Sequence, residues 1–197
     1  MNTFKCISND VCPLSSESTA KETKQLFKYL TFTHLPVVNN HQYVGSIAEK
    51  DLLFLENDEA IIQTYAHLFE SFFAEENMSW LELLKLFATH DTNILPILSP
   101  EKLYIGYYEL NYVLHLFYDT PFLSENGAIV IIEKDAKGYS FSEISQIIES
   151  NDCKLLGMFI SDVLDDKVQI TLKMSYCNIT AINETFSRYG YQLLTSF

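Results

Sequence analysis

The sequence predicts an α+β chain in two parts: a helix–hairpin–helix unit written twice, then a strand–helix–strand–strand–helix–strand domain. Three observations carry this. Thr19-Ala-Lys-Glu22 and Ser79-Trp-Leu-Glu82, each with the pattern of a helix capping box, lie 60 residues apart. Leu35-Pro36 and Leu95-Pro96 repeat at the same interval, and Gly45 and Gly106 repeat at 61. Past Gly127 the pattern changes to a continuous β-branched run, Ala128 to Ile132, followed by a helical stripe.

Composition narrows the function. The 197 residues are 48% hydrophobic and 20% charged, enough for a packed core. With 12 Tyr and 14 Phe, aromatic surface should fill interfaces as well as cores. The formal charge of −13, from 26 acidic and 13 basic residues, argues against nucleic acid as a partner, because such binding draws on cations to neutralise phosphates. There is no uncharged apolar stretch of about 18 residues, so no membrane span is expected. The opening MNTFKCISNDVC lacks the basic start and apolar core of an export signal, and the expectation is a cytosolic protein. Cys6, Cys12, Cys153 and Cys177 show no Cys-x-x-Cys spacing and are expected as buried thiols in a reducing compartment.

The elements follow in order. After each cap, apolar residues recur at helical spacing: Ala20, Phe27 and Leu30, then Leu81, Leu84 and Phe87. Apolar runs Leu35 to Val38 and Leu95 to Leu98 give first strands, polar turns follow, and Tyr43 to Ile47 and Leu103 to Tyr108 give second strands. Glu49 to Leu55 and Leu110 to Phe117 read as closing helices. The extra residue of the second copy falls in its turn, where insertions are tolerated. One unit of this size buries too little to stand alone, so the two should pack together. Between them, Ile61, Tyr65, Leu68 and Phe72 form a helical stripe expected to pack on the first copy.

Thr120 to Gly127 reads as a joint. Beyond it, Ile144, Ile147 and Ile148 mark a helix. Leu155 to Ile160 and Val168 to Leu172 are strands joined through Ser161 to Lys167. Ile179, Ile182, Phe186 and Tyr189 mark a second helix, capped by Asn178 and ended by Gly190, before a last strand from Tyr191 to Leu194. This is the order of ferredoxin-like βαββαβ domains.

The repeat resembles the CBS domain, which occurs as tandem pairs. The resemblance covers residues 5 to 118 and rests on Thr19 to Glu22, His34-Leu-Pro-Val-Val38 and Gly45-Ser-Ile-Ala-Glu-Lys-Asp51, with Ser79 to Glu82, Leu95 to Leu98 and Gly106 in the second copy. Residues 127–197 resemble an ACT domain, and the whole resembles CBS–ACT proteins of the acetoin-utilisation type. The implied domains are 1–58, 59–120 and 127–197. The CBS resemblance implies clefts that take adenine nucleotides or related ligands, and homodimers in which four domains form a disc; ACT domains also dimerise, and many bind amino acids.

Nucleotide-binding members carry Gly-x-x-Ser/Thr-x-x-Asp after the second strand, the hydroxyl for phosphate and the Asp for ribose. Here Gly45 and Asp51 stand, but Ala48 occupies the hydroxyl position. The second copy has Glu109 and Tyr112 instead, and Glu109 would repel a phosphate. The resemblance therefore implies an adenosine-type ligand at Gly45, Ala48 and Asp51, with Thr33 and His34 lining the cleft. The plainer readings are a helix-starting Asp51, a turn Thr33 and a surface His34. In the ACT-like part, Asp135 and Gly138 have the spacing of a ligand loop, or of a solvated Asp and a turn Gly. No catalytic constellation and no metal-ligand spacing is present. The expectation is a non-enzymatic, homodimeric ligand sensor, with an interaction scaffold of degenerate sites as the alternative.

Overall fold

A computed structural model describes residues 7–196, in two compact units, one running to Leu116 and the other beginning at Phe117. The first unit holds β1 (Leu14–Ser15), α1 (Ala20–Tyr29), β2 (His34–Asn39) and β3 (Gln42–Ala48), with 3-10 segments at Glu49–Phe54 and Ile62–Leu68. The second copy follows as β4 (Ala74–Glu75), α2 (Trp80–His90), β5 (Ile94–Leu98), β6 (Tyr104–Glu109) and α3 (Leu110–Tyr118).

Both capping boxes form. Thr19 accepts from Glu22 N–H while Glu22 accepts from Thr19 N–H at 2.8 Å, and Ser79 and Glu82 do the same. The hairpins share one register. Leu35, Pro36 and Val37 face Ile47, Ser46 and Gly45, and Leu95, Pro96 and Ile97 face Tyr108, Tyr107 and Gly106. Each then bulges at the same place, between Val37 and Val38 and between Ile97 and Leu98.

Each copy also has a short parallel strand that no local sequence pattern announces. β1 lies on Val37 and Val38, and β4 lies on Ile97 and Leu98, 60 residues on. Upstream of each, one residue crosses to the other copy as a strap. Ser8 exchanges two backbone bonds of 2.9 Å with Tyr107, and Glu70 exchanges two of 2.8 Å with Ser46. Ser46 and Tyr107 thus turn their backbone groups away from Pro36 and Pro96, whose missing N–H costs the hairpins nothing. The straps account for the repeated glycines. A Cβ at Gly106 would lie 2.6 Å from Ser8 O, and one at Gly45 would lie 2.8 Å from Phe69 Cβ.

The copies share their core: Ile94 and Tyr107 pack with the first copy's Leu35, Val37 and Ile47. Two expectations change. In α2 the buried residues are Leu83 and Phe87, with Leu84 beside them, and Leu81 is exposed. Leu83 stands 60 residues after buried Thr23, so the helices do share a face, one position out of the expected phase. The connecting stripe is not one helix. Ile62 and Gln63 N–H bond Ser18 and Ser16 carbonyls, which turns Ile62 inward and leaves Ile61 exposed, while Phe72 joins the second copy's core.

The second unit contains α4 (Pro121–Ser124), β7 (Ala128–Asp135), α5 (Phe141–Glu149), β8 (Leu155–Leu164), β9 (Lys167–Met174), α6 (Ile179–Arg188) and β10 (Gln192–Ser196). Its antiparallel sheet has the order β10-β7-β9-β8, the ferredoxin-like arrangement. Ile144, Ile147, Ile148, Ile182 and Phe186 cover Val130, Ile132, Ile170 and Leu172. Asn178 caps α6 by accepting from Ala181 N–H. Gly190, at φ +79°, ends it in a Schellman motif, with Tyr191 N–H on Phe186 O and Gly190 N–H on Ser187 O. The expected Ser161–Lys167 connection is mostly strand: β8 continues to Leu164, and the turn is Asp165-Asp166.

The cysteine expectation is corrected. Cys153, buried after α5, is disulfide-bonded to Cys177, just ahead of α6, with Cα atoms 6.0 Å apart. Cys12 is an exposed free thiol, and Cys6 lies outside the described residues. Among the described residues no helix is long and apolar enough to cross a membrane.

Candidate functional site

Where the copies meet, equivalent residues meet each other, as at a two-fold interface. Thr33 N–H donates to Asn93 Oδ1 at 2.9 Å, and Asn93 N–H donates to Thr33 Oγ1 at 3.1 Å. The two residues are 60 apart, each just ahead of its copy's first hairpin strand. Farther along, Tyr104 N–H donates to His41 O at 3.0 Å, and Gln42 bridges Leu103.

Beside the Thr33–Asn93 knot lies a cleft of about 190 Å³, lined by Thr33, His34, Ala48, Glu49, Lys50 and Asp91. Asp91 comes from the second copy, in left-handed conformation at the end of α2. The expected Thr33, His34 and Ala48 therefore stand together. Gly45 is not in the wall; it sits where β3 meets the Phe69–Glu70 strap. Asp51 is half-buried in the first turn of the 3-10 segment, outside the wall but near enough for its charge to reach His34.

His34 is not a surface residue. It is 3% exposed, its Nδ1 is 2.9 Å from Thr33 Oγ1, and its ring meets Phe72 edge-on. Phe72 stacks on His90, ring centroids 4.6 Å apart. His34 Nε2 has no hydrogen-bond partner, and Glu70 Oε1 lies 3.8 Å away, itself held by Lys50 Nζ at 2.9 Å. Nothing in the sequence marks Glu70 or Lys50 as part of this site, because only the strap crossing brings the linker over the first copy.

Burial lowers the His34 pKa below 6.5, outweighing the opposite pull of Glu70. The unfolded chain thus takes up a proton that the folded chain refuses. The stability this carries is complete above pH 6.5 and is lost as pH falls toward the depressed folded value. His34→Asn is expected to flatten thermal stability across that window; an unchanged slope would show that His34 does not titrate differently on folding.

The second copy differs. Tyr107 donates to Asp10, and burial together with Asp10 raises the Glu109 pKa. Tyr112 is half exposed. In the second unit, Gly138 N–H closes a turn on Asp135 O at 2.8 Å, and Asp135 is exposed. Beside it Lys134 bonds Glu143 at 2.8 Å and lies 4.0 Å from the Tyr191 ring centre. Among the described residues no group of three or more His, Cys, Asp or Glu side chains is placed to hold a metal.

This geometry has counterparts. The first unit has the fold of a CBS-domain pair: the CBS domain family matches residues 5–57, and solved CBS pairs share the architecture. One similar structure is a CBS domain pair/ACT domain protein from Thermotoga maritima, at TM-score 0.53 and 21% identity, over 60% of this chain and 98% of that one. The CBS domains of a transcriptional regulator from Streptococcus pneumoniae match at 0.51 and 14% identity, over 58% of this chain and 98% of theirs. CBSX2, solved in complex with AMP, matches at 0.50 and 14%, over 59% and 95%. No curated protein matches the chain.

Proposed function

We propose that the chain is a non-enzymatic regulatory protein whose first-copy cleft binds an adenosine-type ligand and relays its occupancy to a partner. The carrying observation is that Thr33, His34 and Ala48 share the cleft wall with Asp91 of the other copy, Asp51 close by. A ligand there touches both copies, and it shifts their arrangement only by preferring one geometry over another. The AMP complex of CBSX2, similar in fold, supports a ligand of this class. Ala48 offers no hydroxyl to phosphate, so the nucleoside is favoured over the nucleotide. Asp10 and Glu109 make the second copy a poor host for phosphate.

The second unit is read as an ACT-like domain and the protein as a cytoplasmic homodimer. Exposed Phe159, Ile160, Val163 and Leu164 on the edge strand β8 support pairing with a second copy, as do exposed Leu53 and Phe54 in the first unit.

Calorimetric titration with ATP, AMP, adenosine and common amino acids tests the reading. Adenosine is expected to bind at least as tightly as AMP, and Asp51→Ala to weaken it about tenfold, the loss of one or two charge-assisted hydrogen bonds. No heat from any ligand at millimolar concentration would overturn it. A scaffold with degenerate sites is the second reading, favoured by Ala48 and by the Lys50–Glu70 pair standing over His34. It predicts an indifferent Asp51→Ala.

A further inference from the structure

We infer that a cavity under the second copy's hairpin turn binds a small zwitterion of the amino-acid class, its carboxylate on Lys102 and its ammonium on Glu75 and Glu76. The inference stands apart from the cleft at His34 and does not depend on it. The cavity measures about 340 Å³ and lies between that turn and the segment that carries β4. The turn is where the copies differ in length. Four residues, 39–42, separate Val38 from its strand partner Tyr43, and five, 99–103, separate Leu98 from Tyr104. The longer turn is held firmly. Ser99 Oγ accepts from Glu101 N–H at 3.2 Å and from Leu103 N–H at 3.3 Å, and Lys102 O accepts from Tyr43 N–H at 3.4 Å. Lys102 lays its ammonium 4.1 Å from the centre of the Phe73 ring, a cation–π contact. Phe73 in turn meets Tyr43 edge-on, and the Tyr43 hydroxyl donates to Phe72 O at 2.8 Å.

The charges of this cavity are unmatched. Lys102 shares its walls with Glu75 and Glu76, yet among the described residues none of the three side chains forms an ion pair or a hydrogen bond. The ammonium and the carboxylates therefore stand on separate parts of one wall. A cation alone meets Lys102 there, and an anion alone meets two carboxylates, so each is repelled by part of the lining. A molecule carrying both charges satisfies both, through charge-assisted bonds made in a recess where water and salt screen them less. Leu98 and the Phe73 ring supply apolar surface for the body between the charges, and the volume is near the small end for ligand pockets. A neutral nucleoside gains neither charged contact, which separates this site from the first-copy cleft.

Leucine, 5-aminopentanoate, 4-methylpentanoate and 3-methylbutylamine, titrated into the full chain by calorimetry at millimolar ligand, test this. The last two are leucine without its ammonium and without its carboxylate, and 5-aminopentanoate sets the two charges farther apart. One zwitterion is expected to bind about tenfold tighter than either singly charged probe, the effect of one charge-assisted bond. Leucine as the tighter zwitterion identifies an α-amino acid, and 5-aminopentanoate an ω-amino acid. Lys102→Met, and Glu75→Gln combined with Glu76→Gln, should each weaken it about tenfold. Asp51→Ala and Asp135→Ala should leave it unchanged, which places the binding outside the His34 cleft and the Asp135 loop. An unshifted Trp80 fluorescence midpoint shows that a variant keeps its fold; should Lys102→Met lower it, the paired Gln substitutions decide. Equal affinity for 3-methylbutylamine and the zwitterions, wild-type affinity in the paired Gln variant, loss of binding in Asp135→Ala, or silence from both zwitterions overturns the inference. Each of these outcomes leaves adenosine binding at the first-copy cleft untouched.

Discussion

Gly45→Ala and Gly106→Ala are each expected to destabilise the first unit by about 2–3 kcal/mol, the cost of overpacking against backbone that cannot step aside. The readout is the fluorescence of Trp80, the chain's single tryptophan, which packs in the second copy's core. Its thermal midpoint should fall by about 10 °C in either variant. At Gly106 the new methyl meets Ser8 O at 2.6 Å and Ile7 Cγ2 at 3.0 Å. At Gly45 it meets the strap through Phe69, and φ there is +150°, where a side chain is strained whatever the space. Gly138 supplies the contrast. Its nearest neighbour would be 3.6 Å away, and Gly138→Ala should change stability by less than about 0.5 kcal/mol in a circular-dichroism melt. If all three melted alike, the straps would not lie where Ser8 and Glu70 place them.

The same straps mark the limit of what the sequence discloses. Caps, hairpins and the α6 stop were legible because each is decided within a few residues: Thr19 by Glu22, Ser79 by Glu82, Gly190 by the turn before it. β1 and β4 were not, being two residues long with no alternation to read. The phase of α2 was ambiguous because Trp80, Leu81, Leu83 and Leu84 are all apolar; aligning Leu83 with Thr23 would have settled it. Ser161-Asp162 reads as a turn that would end β8 at Ile160, yet an edge strand with exposed faces accepts polar residues freely, and β8 runs on to Leu164. At the site, Thr33, His34 and Ala48 were legible through the Leu-Pro and Gly45 signatures beside them. Lys50, Glu70 and Asp91 were not, because they meet only after one copy is folded against the other. The burial of His34 belongs to the same class: Phe72, from the linker, closes over a side chain that the local sequence would leave in water.

The second large effect belongs to the other unit, at the disulfide. The double variant Cys153→Ala, Cys177→Ala is expected to lose about 3 kcal/mol, chiefly because the unfolded chain regains the freedom of the loop the bond closes. The two positions are 24 residues apart in sequence. The bond ties the end of α5 to the start of α6, and Ile147, Ile148, Ile182 and Phe186 of those helices form much of the core on the sheet. Calorimetry should show one transition falling by roughly 15 °C in the variant. Dithiothreitol should lower the same transition in the wild type and leave the variant unmoved. Trp80 lies in the first unit, so its fluorescence midpoint should stay put in every case. Were the reductant to shift Trp80 and spare the second transition, the linkage would have to involve cysteines other than Cys153 and Cys177. Were it to shift neither, the two thiols would pack as separate apolar side chains, and the stability of α5 and α6 on their sheet would rest on the isoleucines alone.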